Sequence, residues 1–497
     1  MRHGWLAAAL LMPLAVQAAS AAPVRHPTSP THAAPAPTVP VRGAPASFAE
    51  LSARLLPMVV NIATTQTLKP LANQPGLPNV PPGSPLADLF KDFLGPARNL
   101  PRRVTSLGSG FIIDPSGYVV TNNHVIENSD QISVTLNDGT NLPAKLIGRD
   151  DKTDLALLKV TTKRALPFAK FADSDTAHIG DWVIAIGNPF GLGSSVTAGI
   201  VSARNRDIAA GPYDDFIQTD APINRGNSGG PLFDMEGHVI GVASAIYSPS
   251  GGSVGVGFAI PSNMAKDVIA QLRQYGHTRR GWMGVHIQSL TGDIAESMGL
   301  ASQSGALVAD VTPGGPAAKA GMRNGDLITL FNGKAVPDSR VLSRLVAETP
   351  VGSTVAVEIL RKGHKQDFRI TVAQLDDAVV AGAAARTSNI TLPKAITGFS
   401  ELGLSLSVPD ARLRAKYKLG AGDGVVVTRV DPDGAAAEQD IREGDLIVEV
   451  QDETVHTPGD VAKRVDARAN SGGKAVLMRV SRDGQSNYVA LRLGGAG

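Results

Sequence analysis

A serine hydroxyl attacks a carbonyl at neutral pH only when an imidazole takes its proton and a carboxylate fixes that imidazole's tautomer. The chain supplies all three groups in distinctive contexts: His124 in Thr121-Asn-Asn-His-Val125, Asp154 opening Asp154-Leu-Ala-Leu-Leu158, and Ser228 in Gly226-Asn-Ser-Gly-Gly230. The glycines fit the same chemistry. A tetrahedral oxyanion is stabilised by backbone N–H donors, expected here from Gly226 and Ser228, and bulky side chains would crowd the approaching carbonyl. Taken singly each element is weak: Gly-x-Ser-Gly-Gly can be a turn-rich loop, and Asp154 a solvated turn residue after Arg149-Asp-Asp-Lys-Thr153. Order and spacing carry the weight.

The order His124, Asp154, Ser228 is that of chymotrypsin-like proteases. Asp154 follows His124 by 30 residues and Ser228 follows Asp154 by 74, enough to put the first two on one β-barrel and the serine on a second. From Leu107 to Ile260 the chain alternates short strands and glycine-bearing turns: Phe111-Ile-Ile, Tyr118-Val-Val, Ile132 to Leu136, Trp182 to Ile186 and Val239 to Val242. That spacing predicts an all-β barrel or sandwich, with an Asp-Gly hairpin turn at Asn137-Asp-Gly139. Residues 261–276 have helical periodicity, with Ser262 as the expected N-cap and Gly276 past the end. Zymogen-type proteases carry an aspartate before the nucleophile, paired with a newly cut N-terminal amine. The neutral Asn227 cannot form that ion pair, so loop rearrangement must organise the oxyanion hole instead.

A length of 497 residues predicts about three domains. With 47 basic and 45 acidic residues the net charge is +2, which gives no electrostatic case for nucleic acid. The absence of cysteine excludes disulfides, thiolate catalysis and cysteine-ligated zinc, and no cofactor or metal is expected. Residues 1–22 have the basic start, apolar run and small-residue end of a secretory signal peptide. No later segment is apolar enough to cross a bilayer. Residues 23–46 read as a Pro/Ala-rich linker, 47–277 as the catalytic domain, 67–106 as an irregular loop within it, and 376–397 as a second linker.

The remainder repeats. Gly305-Ala-Leu-Val-Ala-Asp-Val and Gly424-Val-Val-Val-Thr-Arg-Val align without a gap, as do Arg323-Asn-Gly-Asp-Leu-Ile328 and Arg442-Glu-Gly-Asp-Leu-Ile447, all at an offset of 119. The same offset carries Trp282-Met-Gly-Val285 onto Glu401-Leu-Gly-Leu404. Two copies of one domain follow, at 278–375 and 398–497.

These motifs, with Gly187-Asn-Pro-Phe-Gly191, Thr197-Ala-Gly-Ile-Val-Ser202 and Gly257-Phe-Ala-Ile-Pro261, resemble the HtrA (Deg) family of exported serine proteases over nearly everything after Ser47. The resemblance implies a mainly β fold: a chymotrypsin-like double barrel followed by two α+β PDZ domains. Residues 67–101 match the family's regulatory loop. It further implies homo-oligomers built from trimers, action without ATP in the periplasm, and degradation of unfolded or misfolded exported polypeptides, stimulated by apolar peptide C-termini. By position, Val256 corresponds to the residue lining a small S1 pocket, Arg206 to the sensor-loop arginine, and Trp282, Met283, Gly284 and Val285 to the carboxylate-binding loop of the first PDZ domain. PDZ domains bind a peptide C-terminus as an added strand beside that loop. Glu401 places a carboxylate at the corresponding point of the second domain, where it repels an incoming carboxylate. The alternative is a chaperone or peptide-binding module with a largely latent protease domain.

Overall fold

The computed structural model describes residues 45–68, 102–188, 194–224, 226–246, 253–300, 302–375, 396–399, 402–419 and 423–493. The expected leader 1–22, nearly all of the linker 23–46, loop residues 69–101, Glu401 and linker residues 376–395 lie outside them.

Twelve strands build two closed barrels. The first contains β1 (Val59–Leu68), β2 (Arg102–Asp114), β3 (Tyr118–Asn122), β4 (Gln131–Thr135), β5 (Asn141–Asp150) and β6 (Leu155–Val160), ordered β1-β2-β3-β6-β5-β4. The second contains β7 (Trp182–Gly187), β8 (Ser195–Arg206), β9 (Phe216–Thr219), β10 (Pro231–Phe233), β11 (Val239–Ile246) and β12 (Gly257–Pro261), ordered β10-β11-β12-β9-β8-β7. This is the chymotrypsin-like fold that the sequence predicts.

Side-chain alternation explains why β3 and β6 read as continuous apolar runs. Successive residues of a strand face opposite ways. Val119, Ala156, Leu158 and Val160 fill the first barrel, while Val120, Leu155 and Leu157 point out of it into a second core shared with Ile184 and Ile186 of the other barrel. Both faces are buried, so apolar residues occupy both from Leu155 to Leu158 and at Val119 and Val120. The helix Ser262–Tyr275 closes this inter-barrel core with Ala265, Val268, Ile269 and Leu272, and ends at Gly276 in the left-handed conformation (φ 77°). Its N-terminal flank is Pro261, not Ser262. The Ser262 hydroxyl donates instead to Ala172 O at 2.9 Å, tying the helix to a preceding loop.

Two boundaries need correction. Thr67, Leu68 and 102–106, expected in the irregular loop, extend β1 and β2, which pair as far as Leu68 opposite Arg102. Ile396 and Thr397, expected in the second linker, begin a strand Ile396–Phe399.

The repeat is a structural one. Each copy has an antiparallel sheet with helices at matching places, Gly292–Ser297, Pro316–Ala320 and Ser339–Glu348 in the first, Ala411–Tyr417, Ala435–Glu438 and Pro458–Asn470 in the second. The buried carboxylates of Asp326 and Asp445, 119 residues apart, cap Arg323 N–H and Arg442 N–H and each receive an arginine fork, from Arg361 (2.6 and 2.7 Å) and Arg482 (2.7 and 2.7 Å). Two parallel charge-assisted bonds satisfy a carboxylate that burial alone would disfavour.

Candidate active site

β3 delivers its chain directly into the short helix Asn123–Ile126, whose second residue is His124. Asp154 sits just before β6 in a left-handed backbone conformation (φ 55°), and its carbonyl is gripped by Asn123 N–H (3.0 Å) and Asn122 Nδ2 (2.9 Å). Strands β3 and β6 pair, with Asn122 opposite Leu155, so the imidazole and carboxylate meet at the same edge of the first barrel.

The Asp154 carboxylate accepts three hydrogen bonds: His124 N–H to Oδ1 (2.9 Å), His124 Nδ1 to Oδ2 (2.7 Å) and Ser244 Oγ to Oδ2 (2.7 Å). An ionised carboxylate only accepts, so Nδ1 carries the proton and Nε2 is left as the acceptor. Ser244, on β11, also links the second barrel to the site, because its carbonyl lies 3.4 Å from Ser228 Oγ. The structure therefore brings His124, Asp154 and Ser228 to one place. Ser228 Oγ is directed to Ser244 O, and among the described residues no hydrogen bond joins it to the imidazole. Sequence reasoning missed Ser244, since a serine in Gly241-Val-Ala-Ser-Ala245 carries no motif.

The loop that carries Ser228 is clamped by a second serine without a motif, Ser109. Ser109 N–H donates to Ser228 O (2.9 Å), Ser109 Oγ to Gly226 O (2.5 Å), and Ser109 O receives Thr121 Oγ1 (2.8 Å). Gly229 (φ 84°) fits only without a side chain: a Cβ there would stand 2.3 Å from both Ser109 O and Thr121 Oγ1. Gly226 is the third residue of a turn closed by Asn227 N–H to Asn224 O (3.0 Å), with φ 99°, a region costly for other residues. Asn227 is buried, and its Oδ1 has no hydrogen-bond partner among the described residues.

A cleft of about 420 Å³ beside the pair is lined by His124, Asp154, Ser244, Tyr213, Phe216 and Met264. Burial pushes the Tyr213 phenol above its usual range, and the Arg280 guanidinium stacks on its ring at 4.8 Å. Val256 lies half-buried just before β12, packed on the inter-barrel core that includes Phe258. Arg206 ends β8, exposed, and its Nε donates to Gln218 Oε1 (3.0 Å) on β9. The segment after it reaches the first repeat through other residues. Asp207 pairs with Arg340, and Asp215 with Arg344 (3.6 Å), both arginines on the helix Ser339–Glu348.

In that repeat, Trp282-Met-Gly-Val285 is shaped by Ala317 N–H to Met283 O (2.8 Å) and Thr312 N–H to Gly284 O (2.9 Å), with Gly284 at φ 79°. Val285–Ser289 then forms an edge strand, paired among the described residues only with Ala306–Val311. Such an edge accepts an added strand. Among the described residues no group of three or more His, Asp or Glu side chains is arranged to hold a metal ion.

Residues 108–242 match the trypsin-like peptidase domain family, and 281–372 and 400–493 each match the PDZ domain family. The chain is 46% identical over 471 residues to a protein of Brucella suis biovar 1 (strain 1330) named probable periplasmic serine endoprotease DegP-like, covering 90% of this chain and 89% of that one. A protein of the same name from Rhizobium meliloti (strain 1021) is 43% identical over 82% of this chain and 79% of its own. Among solved structures, the HtrA-type protease AlgW with decapeptide superposes with a TM-score of 0.54 at 39% identity, covering 66% of this chain and 99% of that one.

Proposed function

The chain belongs to the DegP-like family of periplasmic serine endoproteases, and from that premise we propose that Ser228, His124 and Asp154 are the nucleophile, general base and orienting carboxylate of an ATP-independent endopeptidase for unfolded exported proteins. His124 Nε2 takes the Ser228 proton as Oγ attacks the scissile carbonyl. Amides of Gly226 and Ser228 receive the oxyanion, and the imidazolium returns the proton to the leaving amine. Water then hydrolyses the acyl-enzyme with His124 again as base. Asp154 stays ionised and holds Nδ1–H throughout.

One observation supports this reading above others: the Asp154 carboxylate is shared by His124 Nδ1 and Ser244 Oγ, while the Ser244 carbonyl holds Ser228 Oγ, so a single serine ties all three groups together. Val256 is proposed to line an S1 pocket for Val, Ala or Ile, and the Trp282–Val285 loop to capture apolar peptide C-termini. The route from that capture to the site runs along the helix Ser339–Glu348 to Asp207 and Asp215, on the segment Arg206 begins; trimers are the proposed assembly.

The test compares casein digestion and phosphonate labelling by the wild type and Ser228→Ala, with and without an apolar C-terminal peptide. Digestion by the wild type alone, stimulated by peptide, is expected. Equal suppression of client aggregation by both proteins with digestion by neither refutes it in favour of a chaperone.

A further inference from the structure

The two PDZ domains are built alike at the carboxylate-binding loop. Met283 O and Gly284 O accept from Ala317 N–H (2.8 Å) and Thr312 N–H (2.9 Å). Leu402 O and Gly403 O accept from Ala436 N–H (3.2 Å) and Asp431 N–H (2.7 Å), each partner displaced by 119 residues. Gly284 and Gly403 share positive φ (79° and 69°). The loops that should read a peptide terminus are thus equivalent, and the strands that follow them, Val285–Ser289 and Leu404–Ser407, should offer equivalent edges.

They do not. In the second domain that edge already has a partner. Strand Ile396–Phe399 pairs antiparallel with Leu404–Ser407 in the register Ile396 to Ser407, Thr397 to Leu406, Gly398 to Ser405 and Phe399 to Leu404. Its other side lies against the helix Pro458–Asn470, so it occupies the slot between edge strand and helix. Antiparallel addition with the C-terminal end at the carboxylate loop is the polarity of a captured peptide terminus, and Phe399 stands nearest that loop. The segment falls just outside the PDZ match, which begins at 400. The residues 119 positions earlier, 277–280, take another course. Arg280 O accepts from Leu375 N–H (2.8 Å), and the chain continues as Gly281–Trp282 paired with Ala373–Gln374. Arg280 and Thr278 (3.3 Å) are also tied to Asp150 of the first barrel. The protease anchors the lead-in to the first domain away from its groove, whereas the lead-in to the second has no such anchor among the described residues.

We propose that the second PDZ domain is a strand-binding site filled in cis by residues 396–399, and that it takes a free apolar C-terminus only when this strap is displaced. The exchange is competitive. A strap paired about 99% of the time weakens apparent peptide affinity about 100-fold, because only the open fraction binds. Glu401 is therefore not the first barrier to capture. The inference stands on strand pairing and is independent of the proteolytic reading.

Hydrogen exchange on the full chain carrying Ser228→Ala tests it without proteolysis. The probe is the octapeptide Leu-Pro-Lys-Ala-Ile-Thr-Gly-Phe with a free carboxylate, copied from residues 392–399. Amides of 404–407 should be protected before peptide is added and unchanged by it, while those of 285–289 gain protection, which reads first-domain capture separately. Adding Thr397→Pro and Gly398→Pro should expose those amides of 404–407 that face the strap, since the others stay paired with Val425–Val430, and let the peptide restore their protection, with apparent Kd at that domain falling about 100-fold. A cysteine-free chain allows a second variant, Gly398→Cys with Ser405→Cys, which should oxidise readily and lock the strap. Peptide-dependent protection of 404–407 in the unmodified or locked protein overturns the proposal, as does failure of the disulfide to form.

Discussion

Replacing Asp154 by asparagine isolates the carboxylate's chemistry from its scaffold. Its left-handed backbone (φ 55°) suits asparagine as well as aspartate, and the bonds that fix its carbonyl come from Asn122 and Asn123 without involving its side chain. What changes is acceptor capacity. The carboxylate satisfies three donors, whereas an amide offers one oxygen and a competing NH₂. If the oxygen stays on His124 N–H, the NH₂ faces Nδ1. The imidazole then avoids a donor–donor clash only by shifting its proton to Nε2, where it cannot accept from Ser228. If the amide flips, it opposes the backbone N–H of His124 instead, at about 1–3 kcal/mol for the unsatisfied donor. Loss of the productive tautomer should lower kcat about 10⁴-fold, equivalent to about 5.4 kcal/mol of transition-state stabilisation. KM and the unfolding midpoint should change little. Initial rates on a quenched fluorescent peptide, normalised to folded protein by circular dichroism, measure this. Ser244→Ala removes one charge-assisted bond worth about 1.5–3 kcal/mol and should give a smaller loss, roughly 10- to 100-fold. A loss under about tenfold in the Asp154→Asn protein would refute the assigned roles.

Gly229→Ala should destabilise by about 2–5 kcal/mol in urea melts, from positive φ and a Cβ against Ser109 O, and abolish turnover; a change within error contradicts the clamp. Arg280→Ala strips the partner from Asp150, a carboxylate 2% exposed, and such losses cost about 3–5 kcal/mol; limited proteolysis should then cut faster at 276–281, and unchanged cleavage argues against this anchor. Burial holds the Asp234 carboxyl above its ordinary 3.8, helped by the Glu236 charge, so its stabilising contribution is full below pH 3.8 and lost as pH rises through the folded value. Asp234→Asn should therefore raise the melting temperature at pH 7, with the gain shrinking to nothing near pH 3.5.

What the sequence disclosed follows from how locally each feature is encoded. The Asn137-Asp-Gly139 hairpin, closed by Gly139 N–H to Leu136 O (3.0 Å), needs only its own residues, and the helix ending at Gly276 needs only its period and its glycine. The barrels were legible because short strands with glycine turns admit few architectures. His124, Asp154 and Ser228, the residues proposed for the reaction, stand out in the sequence because that chemistry restricts residue type and order. Ser109 and Ser244 do not. Their bonds to Gly226 and Asp154 span 117 and 90 residues, and any serine in a strand looks the same from sequence. The strap was hidden for a related reason: Ile396-Thr-Gly-Phe399 is too short for periodicity to register, and it follows a linker-like stretch.

The same distinction explains why two copies of one domain take unequal roles. Identical offsets preserve the Asp326–Arg361 and Asp445–Arg482 forks and the carboxylate loops, because each copy must fold by itself. The surroundings of the two copies differ. The first meets the protease, where Asp150 draws Arg280 away from the groove and Asp207 and Asp215 engage Arg340 and Arg344 on the helix beside it. On the proposed reading, a peptide entering that groove meets the helix that holds the segment after β8, and β8 pairs with β9, which leads through 220–227 to Ser228. The second copy instead packs its last strand on the first, with Gln288 bridging both Tyr488 O (2.9 Å) and Tyr488 N–H (2.7 Å). Gln288 lies on the edge strand of the open groove, so the strapped domain braces the very strand on which a peptide would add. If occupancy of one groove alters how the other domain docks, this shared strand is where the two meet, and such linkage must run in both directions.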